Sequence, residues 1–139
     1  MTSIVVDASV AFKWVVEEED SDAAVAVAQN DLWAPDLLRT ECANALWAKA
    51  RRGELDHAEV VERNDALAAA PMTLVAQQEV LADAVRLALE LEHPVYDCLY
   101  LALAIRHDTY VVTADRRFLG VVRRSDYRER IRPLSEPPS

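Results

Sequence analysis

Ile4-Val5-Val6-Asp7-Ala8-Ser9 is the stretch on which the fold turns. Three β-branched residues in succession suit a strand buried on both faces. Asp-Ala-Ser then offers a turn, and a helix is expected from Val10 to Val16. A strand with no polar face belongs in a parallel sheet, whose crossovers cover it above and below. Val111-Val112-Thr113-Ala114-Asp115 has the same form: a strand from Tyr110 to Thr113, an acid, then a helical turn over Phe118 to Val122.

Outward from these two runs, short strands are expected at Leu32-Trp33-Ala34, at Met72 to Val75, and at a last edge beginning with Ile131. Helices fill the intervals. One starts at Ser21 or Asp22 and runs to about Asn30. Pro35 fits the first turn of the next, which runs to about Arg52 and stops at Gly53. Asp56 caps a third that ends before Pro71. Gln77 to Glu92 and Pro94 to about His107 read as two more. The expectation is one α/β domain over residues 1–133, a central parallel sheet of about five short strands with helices on both faces. Residues 134–139 read as a frayed tail.

The 139 residues suffice for one domain with a real core, and only two glycines among them favour a helix-rich fold. The longest apolar run, Cys98 to Ile105, is far too short for a membrane span. No basic run precedes an apolar core near Met1, so the expected location is cytoplasmic. Cys42 and Cys98 form no zinc or disulfide pattern and read as buried thiols; His57, His93 and His107 read as surface or helix-end residues. The net charge of −9 argues against a general polyanion binder, yet it is unevenly spread. From Arg116 to Arg132 seven arginines face only Asp126 and Glu129, giving +5 and leaving −14 elsewhere. Such a segment is either a solvated face or a phosphate-contacting rim.

Four acids stand where acids are costly. Asp7 is the only charge in the first twelve residues, and Asp97 the only one from Pro94 to Ile105. Glu41 falls in the apolar stripe Leu38, Glu41, Cys42, Ala45, Ala48, and Asp115 follows a buried strand. In open α/β sheets the working site lies beyond the carboxyl ends of the strands, which puts Asp7 and Asp115 on one edge. If their strands are neighbours, the ends are ~5 Å apart. Each acid also has an ordinary reading: Asp7 and Asp115 as turn or cap residues, Asp97 as a first-turn acid facing the helix dipole, Glu41 as a partner of Arg39 or Lys49. Taken together they repel, by ~4 kcal/mol for a pair 4 Å apart at an effective dielectric of 20. Oxygen ligands without histidine or thiolate suit Mg²⁺ or Mn²⁺. Ser9 and Thr113, two residues from Asp7 and Asp115, are placed to hydrogen-bond such ligands.

With these residues in view, the chain resembles the PIN-domain ribonucleases, in particular the VapC toxins of bacterial toxin–antitoxin pairs. The resemblance spans about Ser3 to Pro133. It rests on Ile4-Val5-Val6-Asp7-Ala8-Ser9, on Pro35 followed by Glu41 with Asn44 and Leu46, on Tyr96-Asp97-Cys98-Leu99-Tyr100-Leu101-Ala102-Leu103-Ala104, and on Val111-Val112-Thr113-Ala114-Asp115-Arg116-Arg117-Phe118. It implies a metal-dependent endoribonuclease acting on single-stranded or loop RNA, with Asp7, Glu41, Asp97 and Asp115 as catalytic metal ligands supported by Ser9, Thr113 and Asn44. It also implies a cognate antitoxin that fills the acidic pocket, and a homodimer. Arg116, Arg117, Arg123 and Arg124 are the candidate RNA contacts. Trp14, Leu46 and Trp47 are candidates for a groove between the early helices that a partner could enter.

Two other classes compete. A phosphotransfer protein would need a second acid beside Asp7, where Ala8 and Ser9 stand, and no lysine follows the fourth strand. A non-catalytic interaction module on the same fold would have lost some of the four acids, and all are present.

Overall fold

The computed structural model describes residues 3–136. Five strands form one parallel sheet: β1 (Ser3–Val6), β2 (Asp31–Pro35), β3 (Thr73–Val75), β4 (Val111–Thr113) and β5 (Ile131–Pro133), in the order β3-β2-β1-β4-β5. Ile4, Val5 and Val6 are all fully buried. Successive strand residues point to opposite faces, so both faces of β1 are covered, as an uninterrupted apolar run requires.

Seven α-helices supply the cover: α1 (Ala8–Ala11), α2 (Ser21–Val27), α3 (Leu37–Arg51), α4 (His57–Ala68), α5 (Leu81–Leu91), α6 (Val95–Arg106) and α7 (Arg116–Arg123). Helix α6 packs on β1, β2 and β4 and is backed by α5. Every residue from Cys98 to Ala104 is buried, so α6 is apolar on all sides and only its ends meet water. Asp97 sits at one of those ends.

Local chemistry sets the boundaries. Asp56 accepts from the Glu59 backbone N–H at 2.8 Å while the Glu59 side chain accepts from the Asp56 N–H at 3.1 Å, a capping box that starts α4. Gly53, at φ 76°, follows α3 in the left-handed region that glycine adopts without cost. Asn30 donates its amide to the Val27 carbonyl at 3.0 Å, and α2 ends at Val27 rather than at Asn30. Gln77–Glu79 is a 3-10 turn ahead of α5, so the helix expected over Gln77 to Glu92 begins tighter than an α-helix.

Two expectations need correction. Pro35 is the last residue of β2, opposite Val75, and α3 begins only after Asp36. β1 pairs with β2 only as far as Trp33, so at Pro35 one side of the strand is without a ladder partner and a residue lacking an N–H is tolerated. Leu134 does not fray: it is 3 % exposed, packs in the core and donates its N–H to the Thr113 carbonyl at 2.8 Å. An apolar side chain beside an edge strand gains more from burial than a short tail loses in entropy. Ser135 and Glu136 beyond it are exposed, and residues 137–139 of the expected tail lie outside the described residues.

Candidate active site

The strand order reverses between β1 and β4, so their carboxyl ends border the crevice where open α/β sheets bind ligands. Val6 pairs with Val112, which brings Asp7 out beside Thr113. Asp7 is only 4 % exposed. Its Oδ1 accepts from the Ser9 N–H at 3.1 Å and from the Ser9 hydroxyl at 2.5 Å, while Oδ2 accepts from the Thr113 hydroxyl. The Ser9 oxygen in turn accepts from Ala114 N–H at 2.9 Å, and the Thr113 oxygen from Asp115 N–H at 3.0 Å. The turns after β1 and β4 are thus laced together through Asp7. Ser9 and Thr113 both serve this one carboxylate; Thr113 meets Asp115 only at its backbone.

The other acids reach the same crevice from three helices. Asp115 caps α7, its Oδ1 accepting from the N–H groups of Arg117 at 2.9 Å and Phe118 at 3.2 Å. Asp97, in the first turn of α6, is half-buried, and its Oδ2 lies 2.6 Å from His93 Nε2. Glu41, half-buried on α3, accepts from the buried Tyr100 hydroxyl at 2.5 Å through Oε1. Asp7 and Asp115 therefore do act as helix caps, since Asp7 precedes α1 in the same way. Capping uses Asp115 Oδ1 alone. Among the described residues, Asp115 Oδ2, Asp97 Oδ1 and Glu41 Oε2 accept no hydrogen bond from the protein. Among the described residues the one buried side-chain polar atom without a partner is Arg39 Nε, so those three oxygens meet solvent.

The electrostatics are those of an unneutralised cluster. Burial pushes the Asp7 carboxyl up to about 7; the Ser9 and Thr113 hydroxyls pull the other way, and the Asp97 charge adds to the rise. Burial also raises Asp97, which His93 lowers and Asp115 raises further. Glu41 rises through burial, offset by Tyr100 and reinforced by Asp97. Among the described residues, no lysine or arginine pairs with any of the four acids. Lys49, one candidate partner for Glu41, pairs with Glu54 at 3.7 Å instead.

No three His, Cys, Asp or Glu side chains among the described residues stand close enough to enclose an ion by themselves. Mg²⁺ does not need such a cage, because it keeps several waters and takes one or two carboxylates with substrate phosphates completing its shell. Outward-facing carboxylate oxygens fit an ion of that kind. Thiolate-seeking metals fit poorly, since burial pushes Cys42 up to about 12 and Cys98 up to about 11.

Other candidates fall on both sides of the expectation. Asn44 is exposed and makes no hydrogen bond to any of the four acids. Arg116 and Arg123 border a cleft of about 430 Å³ with Thr113 and Asp115, and the Arg117 charge acts on Asp97. Arg124 folds over Gly120 and lines a different cleft with Glu90 and Asp126. The expected Trp14–Leu46–Trp47 groove does not exist. Leu46 is fully buried, Trp14 donates its indole N–H to the Ala24 carbonyl at 2.7 Å, and Trp47 lies exposed in a separate cleft with Val60 and Val61.

His93 is not a surface residue. It is 6 % exposed, bonded to Asp97 and stacked on Phe118 with ring centroids 5.5 Å apart and planes at 9°. The signal available in the sequence was its position four residues before Asp97, one helical turn. Tyr100, three residues after Asp97, was quoted only as part of an apolar helix; nothing in that pattern pointed its hydroxyl at Glu41.

Residues 4–123 match the PIN domain family. The chain is 39 % identical over 118 residues to Ribonuclease VapC3 of Pyrobaculum aerophilum, covering 82 % of this chain and 90 % of that one. The crystal structure of PAE2754 from Pyrobaculum aerophilum superimposes with a TM-score of 0.70 at 22 % identity, over 96 % of this chain and 93 % of the other. That last likeness speaks to the fold alone. No helix of the described residues is long and apolar enough to cross a membrane. On the family match over residues 4–123 and the identity to VapC3 along most of its length, the chain belongs to the PIN-domain family, among its VapC-type members.

Proposed function

We propose that this protein is a Mg²⁺- or Mn²⁺-dependent endoribonuclease that acts as the toxin of a toxin–antitoxin pair. The observation that carries the reading is the set of four acids at the carboxyl ends of the sheet, with no lysine or arginine paired to any of them among the described residues. Like charges gathered at such a site are stable only with a partner, and a hard divalent ion is the partner their oxygens suit. The kinship with a chain named as a ribonuclease supports the reaction class.

Each residue then has a defined task. Asp97, Glu41 and Asp115 each fix one oxygen by a hydrogen bond and offer the other to an ion. Asp7, held by Ser9 and Thr113, supplies the buried charge at the floor of the site. When bound, the ion polarises a phosphoryl oxygen and lowers the pKa of its water. Arg116, Arg117 and Arg123 offset the repulsion that an RNA backbone meets at an acidic centre. The antitoxin is expected to present a cation to the same acids. Trp47, 56 % exposed beside Val61 at 61 %, offers apolar surface to a protein partner, either the antitoxin or a second copy.

The test is incubation of the purified protein with a fluorogenic single-stranded RNA in Mn²⁺, in Mg²⁺ and in EDTA. Cleavage with either metal and none in EDTA is expected. Undiminished cleavage in EDTA, or none with any RNA in either metal, overturns the reading.

A further inference from the structure

His93 is the middle residue of the three-residue connection between α5 and α6, and both its backbone and its ring are held. Glu92 before it adopts a left-handed φ of 53°, and Pro94 after it opens α6. The His93 N–H donates to the Ala88 carbonyl at 3.2 Å, and its carbonyl accepts from Cys98 Sγ at 3.9 Å. One ring face lies on Phe118, and Nε2 meets Asp97 Oδ2. Phe118 in turn is fully buried and its own N–H holds Asp115 Oδ1 at 3.2 Å. A single aromatic stack therefore has one site acid attached at each end.

We infer that His93 is a positioning residue of the site: through Nε2 it holds Asp97 with Oδ1 facing the crevice, and through its stack on Phe118 it sets Asp97 against Asp115. The inference rests on the proposed reading of the four acids as ligand groups. A carboxylate with both oxygens free samples several side-chain rotamers, and a histidine donor on one oxygen selects one of them, as outer hydrogen bonds do for metal ligands generally. A purely structural histidine would need neither the contact with Asp97 nor a stack on the residue that holds Asp115.

Two measurements test this. The first needs no metal: in EDTA, a long-range ¹H–¹⁵N spectrum should place a proton on His93 Nε2, with its resonance shifted in Asp97→Asn. A bare Nε2 overturns the inference. The second compares His93→Leu, which keeps apolar packing, with His93→Gln, which restores a side-chain N–H donor. His93→Leu should lower Mn²⁺ affinity, measured by electron paramagnetic resonance, by roughly 10–100-fold, and His93→Gln should recover most of it. Wild-type affinity in His93→Leu, or no recovery in His93→Gln, overturns it. Should His93→Leu fail to fold, the spectrum in EDTA decides: an Nε2 proton resonance that Asp97→Asn leaves unmoved means that His93 does not act through Asp97. If wild type binds no Mn²⁺ while Nε2 carries its proton, the ligand reading has failed and the His93–Asp97 contact stands.

Discussion

Replacing Asp7 with asparagine should abolish cleavage and make the folded protein more stable at neutral pH. Folding carries the Asp7 carboxyl from an ordinary 3.8 to about 7, chiefly through burial. A shift of about three units at 1.36 kcal/mol each costs about 4 kcal/mol once the group is ionised. The sign follows from proton binding. Between the two values the folded state holds the proton and the unfolded state does not, so wild type loses stability as pH rises from about 4 to about 7 and stays at the lower level above that. Asparagine has no charge to bury. It turns one acceptor into a donor opposite Ser9 or Thr113, at a cost of about 1 kcal/mol. Asp7→Asn should therefore exceed wild type by about 3 kcal/mol at pH 8, or roughly 10 °C in Tm, with the gap closing towards pH 4. Urea unfolding of both proteins in EDTA from pH 4 to 8.5 measures it. A gap that does not change with pH, or an asparagine variant less stable than wild type at pH 8, would refute the reasoning. Stability given up at a working site is the usual trade in enzymes.

Three further outcomes are expected. Mg²⁺ or Mn²⁺ should raise the Tm of wild type; Asp97→Asn should be at least as stable as wild type in EDTA and respond much less to metal, whereas a clear loss in EDTA would mark Asp97 as a structural ion-pair partner of His93. Tyr100→Phe removes the hydroxyl that lowers Glu41, so the Glu41 pKa should rise and the acid limb of the cleavage profile should move to higher pH, at a cost of about 1.5–3 kcal/mol in the charged bond; an unmoved limb counts against a role for Glu41. Arg116→Ala with Arg117→Ala should weaken RNA binding and reduce the slope of log affinity against log salt by about 1.4, two single-strand phosphate contacts. An unchanged slope would make these arginines ordinary solvated charges.

What the sequence disclosed and what it withheld divide along physical lines. Strands such as Ile4–Val6 were legible because burial on both faces leaves no polar position to obscure the pattern. Asp7 and Asp115 could be placed at one edge because a parallel sheet puts all its carboxyl ends on one side. The pairing of β1 with β4 was not legible, since register and strand order are set by packing across the whole sheet. Side-chain partnerships were the least visible. His93 looked like a helix-end residue until the α5–α6 connection turned its ring onto Phe118 and Asp97. Leu46 and Leu134 were misplaced because an apolar residue within a helix or near a chain end suits a groove, a tail or a core equally well. Asn44 lies one turn beyond Glu41 near enough in sequence to support it, but it points to solvent.

The most direct test of the metal-dependent acid site is single-turnover cleavage of a single-stranded RNA by Asp7→Asn, Glu41→Gln, Asp97→Asn and Asp115→Asn, each confirmed folded, at saturating Mn²⁺. All four should lose at least 100-fold in rate relative to wild type, since each removes an oxygen charge from the same site. Wild-type rates in any one remove that residue from the site. Wild-type rates in Asp7→Asn and Asp97→Asn together would contradict the assignment outright.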